Sequence, residues 1–438
     1  MDCDVAIVGA GLAGACTAAL LARTAGIAAG RIVLLAADLA EAHSEPAAAS
    51  SPPQLRVVAV SRASERILDA AGAWQRLPPA RVCAYERMWV WEHGIDAAGA
   101  LRFDAADVGE PNLGYIIENS WLQWACLTSF RDSGGRLLAG ALQELTVDEN
   151  AVRLTLADGT SVTARLVIGA DGAQSAVRTL LSIPAQRRSF GQLGVVANVA
   201  GSRGHQHTAW QRFLPGGPLA LLPLFDGSCS MVWSLDESRA HTLLHSGVAQ
   251  FNAQLEAATE GALGAMTLVG ARHGFPLQRL AARDFIAPRA ALVGDAAHVI
   301  HPLAGQGANL GLLDADALCA AVAGALTVRE DPGALRALRP YEQQRRTHNR
   351  LMDVATRAFH HGFALTGPAR WLRQRALEQV DHSLLLKRLF AREALGLGLF
   401  RPRQRATGPG AAAPGAAGAA GSDVAGTDAA GQDQRVGI

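Results

Sequence analysis

The sequence predicts an α/β protein: a Rossmann-like domain on a parallel sheet, an antiparallel sheet inserted into it, and helices toward the C-terminal end. Three observations carry the prediction. Residues 4 to 35 read as strand, tight turn, helix, strand, because the buried run "DVAIV" meets glycine at once and a small-residue helix pattern follows. Two later apolar strands, in "RLVIGADG" and "RAALVGD", run into glycine turns of the same kind. Between them, residues 190 to 280 carry stretches such as "GVVANVA" and "CSMVWSL" separated by turns, which read as a second sheet.

The elements follow in order. "CTAALLARTAG" is a helix ending near Gly26, and "RIVLL" is the second buried strand. Residues 40 to 53, rich in Ala, Ser and Pro, form a surface excursion. "SRASERILDAAGAW" is a helix with Ser61 as its N-cap and Glu65 in its first turns. Alternation from Val82 to Phe103 predicts antiparallel strands, and residues 120 to 130 are helical. The chain reads as helical again from Tyr341 to Phe400, with many arginines. After Arg401 it is almost all Ala, Gly and Pro, too poor in apolar surface to offset its ordering entropy, so disorder is expected. The pattern divides the chain at 1–80, 81–104, 105–185, 186–280, 281–335, 336–400 and 401–438.

Composition excludes several classes. The 438 residues, 49% hydrophobic and 18% charged, suffice for a sizeable core in two domains or one large body. A net charge of +1 gives no footprint for nucleic acid. No uninterrupted apolar run has the length of a membrane span, and "MDCDVAIVGAG" is not a signal peptide. The six cysteines are scattered, without a Cys-x-x-Cys pair, and read as free thiols of a reducing cytoplasm with no metal site.

Gly9, Gly11 and Gly14 form a G-x-G-x-x-G turn. Gly9 bends the chain off the strand, Gly11 leaves room for a pyrophosphate, and Gly14 lets the helix approach the strand, so the pattern predicts dinucleotide binding. The acid usual after the second strand is absent: Ala36 stands there. Asp38 is the substitute candidate for the ribose, with a solvated loop carboxylate as the alternative.

"GADGAQSAVR" (169–178) and "GDAAH" (294–298) complete a set of three glycine turns. In this order and at these separations they resemble the class A flavoprotein monooxygenases of the p-hydroxybenzoate-hydroxylase fold. "HPLAGQGANLGLLDADAL" narrows the resemblance to the ubiquinone-biosynthesis hydroxylases, as do "LRVVAVSRASERILDAAGAW", "LGYIIENSWLQWACL", "RFLPGGPLALLPLFDGSCSMVW" and "FPLQR". It covers roughly residues 4 to 400.

The resemblance implies an FAD-binding domain from 1–80, 105–185 and 281–335, a substrate domain from 81–104 and 186–280, and hydroxylation of a polyprenylated phenol. NAD(P)H serves as transient reductant, O2 as co-substrate, and a flavin C4a-hydroperoxide as oxygen donor. Arg56 and Gln123 then contact FAD. Asp171 and Gly172 shape the face where FAD and NAD(P)H meet, and Gly294 and Asp295 set a carboxylate against the ribityl or phosphate side. Pro302, Gly305 and Gln306 form the flavin-positioning loop. The amides of Gly305, Gln306, Gly307 and Ala308 face the N1–C2=O edge, aided by the helix dipole, and Asn309 joins the cofactor site. Leu221, Leu222 and Pro223 are candidate lining of the substrate pocket.

Other residues have plainer readings. His298 and His301 either serve as acid or base or bond locally to hold the loop; the local role is preferred, and zinc ligation lacks partners. Trp89 and Trp91 share a strand face as packing. Tyr115 reads as core, and Arg345 and Arg346 as a solvated helix face. Residues 368 to 400 lie on a membrane or a partner protein, or pack amphipathically, the preferred reading; other ubiquinone-biosynthesis proteins are the partners the resemblance implies. The implied location is cytoplasmic, with peripheral contact to the inner membrane. Two alternatives stay open: the same chemistry on another aromatic, and a non-catalytic flavoprotein scaffold. A halogenase is disfavoured, since "WVWEHG" is only the nearest stretch to Trp-x-Trp-x-Ile-Pro.

Overall fold

The computed structural model describes residues 2–39, 44–46, 51–92, 100–301 and 306–364, with backbone alone at 306 and 353–364. The expected flavin-loop residues Pro302 and Gly305, the helical reading beyond residue 364 and the Ala/Gly/Pro tail lie outside these residues.

β1 (Val5–Val8) is completely buried, and α1 (Leu12–Thr24) carries the chain across to β2 (Ile32–Ala36), which pairs with β1 in parallel. The inward residues of α1 are mostly small, among them Ala15, Cys16, Ala18 and Ala19, so the helix lies close to its neighbours. β3 (Val57–Ser61) feeds α2 (Arg62–Ala70), whose first turn is capped as expected: Ser61 Oγ accepts from the Ser64 amide at 3.2 Å. β4 (Gly114–Glu118) runs antiparallel to β3 and continues into α3 (Asn119–Asp132).

β5 (Leu166–Gly169) pairs with β1 on the side away from β2, and a short helix, α4 (Ala176–Leu180), follows it. The chain then builds the eight-stranded sheet, which includes β6 (Ala185–Gly201), β7 (Gly217–Pro223) and β8 (Met266–Ala282). β9 (Ala290–Leu292) returns to the parallel sheet against β5. Two long helices, α5 (Gln306–Thr327) and α6 (Leu335–Ala364), follow. By length and composition Gly307–Thr327 would suffice to cross a membrane, but Leu310, Leu312, Ala315, Leu318 and Val322 are buried inside this fold.

Two expectations need adjustment. Within 190–280 the chain also forms the helices Glu237–His245 and Val248–Thr259. Phe251, Leu255 and Ala258 of the second are buried at helical spacing, a period masked by the surrounding strands. Of the strands between Val82 and Phe103, Arg87–Glu92 pairs antiparallel with Leu101–Asp104 but parallel with Thr208–Leu214. Cys83–Tyr85 belongs to a different sheet, with β3 and β4.

Candidate active site

The parallel sheet brings the three glycine turns together. Val8 pairs with Gly169 and Gly169 with Leu292, so β1, β5 and β9 end in line and their following loops emerge side by side. This is the crevice at the carboxyl ends of parallel strands where open α/β sheets bind ligands. The turns also touch. A side chain on Gly9, at φ +107°, would collide with the carbonyl oxygen of Ala170. Gly294, at φ +59°, lies so close to α1 that a Cβ there would sit 2.9 Å from Ala13 Cβ.

The first turn suits an anion. Gly14 leaves no space for a side chain, because a Cβ would overlap the Gly9 carbonyl. Gly11 is different: a Cβ there meets nothing within 4 Å. Gly11 is also the N-cap of α1, makes no side-chain cap, and is followed by no acid in the first turn. The helix therefore begins with amides uncapped by any side chain, beside open space, a ready cradle for a pyrophosphate. Gln123, on α3, donates from Nε2 to Ala10 O at 2.9 Å and so braces this turn. Asp38 is exposed in the turn after β2.

The second turn is tied to the third. Asp171 accepts from Ser175 Oγ at 2.5 Å and from the Val177 amide at 3.1 Å, which commits its carboxylate to the start of α4. Gly172, at φ +79°, faces open space. Arg178, nearly fully buried, donates to Ala173 O and to Ala296 O, both at 2.7 Å, linking this turn to the Gly294–Asp295 turn. Nothing in the spacing of "GADGAQSAVR" distinguished this arginine from a surface one.

Asp295 is solvent-accessible yet closely ringed by protein. Its pKa is raised by desolvation, against the opposing charges of His298 and Arg56. The segment carrying Arg56, just before β3, is pinned to the start of α3: Asn119 N donates to Arg56 O at 3.0 Å, and Gln54 N donates to Glu118 Oε1 at 2.7 Å.

Behind Asp295 stands a residue that the sequence reading passed over. Asp314, on α5, is fully buried. Its Oδ2 accepts from the Gly294 amide at 3.0 Å and bonds His298 Nε2 at 2.5 Å; its Oδ1 accepts from Arg345 Nε at 2.6 Å. Burial acts to raise its pKa, but the charges and hydrogen bonds of His298 and Arg345 outweigh it and hold the carboxyl down at about 2. His298 thus has the local holding role expected of it. Arg345 does not form a solvated face: it is 3% exposed, and its guanidinium also donates to Leu310 O and Asn349 Oδ1. A lone arginine on an arginine-rich helix gave no sign that its partner sits 31 positions earlier. Arg346, next to it, is partly exposed.

His301 is buried, with Nε2 3.4 Å from Gln192 Oε1 and its ring edge-on to Phe190. Asn309 is spent on the protein: it donates to Ala59 O at 2.8 Å and accepts from the Ser61 amide and Ser64 Oγ, fixing the start of α5 to β3 and α2. Gln306 begins α5, and a Cβ on Gly307 would meet nothing within 4 Å. Trp89 and Trp91 pack on Trp210, at 4.7 and 6.0 Å between ring centroids. The Tyr115 hydroxyl bonds Arg62 and Glu65, which makes it part of the α2 packing.

The alternation of β7 separates the expected pocket residues. Leu221 is buried with Trp91, Trp210 and Phe251, whereas Leu222 packs with Ala59, Ile116 and Ala209. The two leucines therefore serve different faces of the sheet. The six cysteines are buried and free, and burial pushes the Cys3 and Cys83 thiols up to about 11, away from reactive thiolate.

Comparison with known proteins agrees with this geometry. Residues 136–355 match the family model described as FAD binding domain. The chain is 35% identical over 402 residues to the 3-demethoxyubiquinol 3-hydroxylase of Escherichia coli, covering 90% of this chain and 98% of that one. It is also 35% identical over 402 residues to ubiquinone hydroxylase UbiL of Rhodospirillum rubrum, covering 90% and 89%. The fold superposes with a TM-score of 0.69 on pqsL, a probable FAD-dependent monooxygenase from Pseudomonas aeruginosa, at 24% identity over 86% of this chain and all of that one. The uncapped start of α1, the open face at Gly11 and the accessible Asp295 carboxylate fit the phosphates and ribityl chain of FAD, and the chain belongs to the family of FAD-dependent ubiquinone-biosynthesis hydroxylases.

Proposed function

We propose that this protein hydroxylates the aromatic ring of a polyprenylated phenol in ubiquinone biosynthesis, using NAD(P)H and O2. The observation that carries the reading is the alignment of Val8, Gly169 and Leu292, which sets three glycine turns around one crevice in a chain 35% identical to two ubiquinone hydroxylases. FAD, when bound, supplies the redox and oxygen-activating chemistry.

The chain's residues bind, orient and exclude water. The amides at the start of α1 hold the pyrophosphate, helped by the helix dipole. Asp295 and Arg56 stand at the ribityl side. The residues of 302–308 carry the flavin ring, with the amides of Gly307 and Ala308 at the dipole-positive end of α5. Asp314, His298 and Arg345 keep the Gly294–Asp295 turn in place. The apolar face of β7 that includes Leu222 forms part of the wall against the substrate ring and keeps bulk water from the reacting centre. A prenyl tail resides in a membrane, so the protein works at the cytoplasmic surface of the inner membrane, alongside other enzymes of the pathway.

The test is reconstitution followed by turnover. The purified protein is expected to be yellow, and a short-chain prenylated phenol should stimulate NAD(P)H and O2 consumption with a stoichiometric hydroxylated product. Tight FAD binding with no substrate-stimulated consumption, together with restored quinone synthesis in a disrupted strain, would point instead to a scaffold. Analysis of the intermediate that accumulates on gene disruption identifies the ring position.

A further inference from the structure

Next to the end of the third glycine turn, a cavity of about 360 Å³ lies between the first residues of β6, the last residues of β8, the segment 298–300 and α6. It is within the size range of small-molecule sites. Its walls divide by chemistry. The lining includes the apolar residues Leu280, Phe285 and Ile300 and the arginines Arg279, Arg283, Arg346 and Arg350. No carboxylate lines it among the described residues. Arg283 and Arg346 share Asp284 outside the lining, Arg346 also lies 3.8 Å from Glu342, and Arg350 is exposed with no ion-pair partner among the described residues.

One further atom points to a ligand. Asn349 lines the cavity and is 6% exposed. Its Oδ1 accepts from Arg345 Nη2 at 2.9 Å, which fixes the orientation of the amide, yet its Nδ2 has no hydrogen-bond partner among the described residues. A buried donor left unmade is costly, and native proteins rarely keep one without use.

We propose that this cavity binds an amphiphilic anion: a phosphate or carboxylate head held by the Asn349 amide with Arg346 and Arg350, and an apolar body laid on Leu280, Phe285 and Ile300. Guanidiniums suit such a head because they donate in paired, planar fashion. The site is separate from the proposed hydroxylation, but the two are joined through His298. This residue borders the cavity and bonds Asp314, which in turn holds the Gly294 amide. An occupant is therefore felt at the flavin turn.

Two sources can supply this chemistry, a soluble organic anion or an anionic membrane lipid. The experiment uses FAD-loaded protein titrated by calorimetry with hexyl phosphate and with inorganic phosphate, and sedimented with phosphatidylglycerol or phosphatidylcholine vesicles. Hexyl phosphate is expected to bind one to one, at least tenfold more tightly than inorganic phosphate, and to change flavin fluorescence. Asn349→Asp keeps an oxygen toward Arg345 but replaces the unpaired donor with a carboxylate oxygen, and should weaken binding at least tenfold. Arg350→Glu, on the surface, should do the same without risk to the fold. Phosphatidylglycerol binding that falls in both variants supports the lipid source, and hexyl phosphate binding without vesicle binding supports the soluble one. The proposal is overturned if hexyl phosphate shows no saturable binding, if neither variant weakens it, or if NADH or NADPH displaces it competitively.

Discussion

Asp314 and Arg345 form a fully buried ion pair, Oδ1 to Nε at 2.6 Å, that fastens α6 to α5 directly behind the Gly294–Asp295 turn. The same carboxylate receives the Gly294 amide and His298, so a single side chain joins two long helices and the loop proposed to meet FAD.

Breaking this hub from one side should be severe. Asp314→Asn leaves the Arg345 charge buried without its counterion, a situation that typically costs about 3–5 kcal/mol. The urea midpoint of the apo-protein should fall accordingly, and FAD should dissociate faster. Adding Arg345→Met removes the stranded charge, and the double variant should recover part of the lost stability. Additive losses in the double-mutant cycle would show that the pair is not coupled.

The two aspartates of this region respond to pH in opposite senses. The folded-state pKa of Asp314, about 2, lies below its ordinary value of 3.8. Its contribution, about 2 kcal/mol at 1.36 kcal/mol per unit, is therefore complete above pH 4 and lost as the pH falls toward 2. Asp295 is raised, so its folded form holds a proton more readily, and its charge lowers the stability of the apo-protein as pH rises above the ordinary carboxylate range. Asp295→Asn should therefore raise the apo-protein's melting temperature at pH 7 while weakening FAD retention. A variant with lower melting temperature and unchanged flavin occupancy would contradict both parts.

Much of the scaffold was legible because it obeys local rules. The buried runs at Val5–Val8 and Leu166–Gly169, the Ser61 cap and the small inward face of α1 each follow from a few neighbouring residues. The bend at Gly9 and the close approach at Gly14 could be read for the same reason. What could not be read depends on partners far away in the chain. Arg178 finds Ala296, Arg345 finds Asp314, and Asn309 finds Ala59, across 118, 31 and 250 positions respectively. Local pattern makes each look like a surface or ligand-facing polar residue, and tertiary packing makes each a rivet. The parallel pairing of Arg87–Glu92 with Thr208–Leu214 escaped for the same reason, since alternation reveals a strand but not its neighbour's direction.

The glycine turn offers a matched comparison. Gly14→Ala drives a methyl group into the Gly9 carbonyl, and should lower stability by about 1–3 kcal/mol and abolish FAD binding together. Gly11→Ala adds the same methyl group into open space next to the proposed pyrophosphate. It should leave the melting temperature of the apo-protein nearly unchanged and weaken FAD at least tenfold. Equal FAD affinity for Gly11→Ala and the parent would place the phosphates elsewhere.

The two leucines of β7 test which sheet face meets the substrate. Both are buried, at 1% exposure for Leu221 and 8% for Leu222, so truncation of either removes comparable apolar surface. Leu221→Ala opens a hole among Trp91, Trp210 and Phe251, and should cost about 2–5 kcal/mol of stability. The enzyme that remains folded should turn over with its KM intact. Leu222→Ala acts on the side shared with Ala59 and Ile116, toward β3 and β4, and should raise KM for a prenylated phenol several-fold while flavin content holds. Melting curves read the first effect and steady-state kinetics on FAD-loaded protein the second. A KM shift of the same size in both variants would mean that Leu222 acts through general packing, and would remove it from the substrate wall.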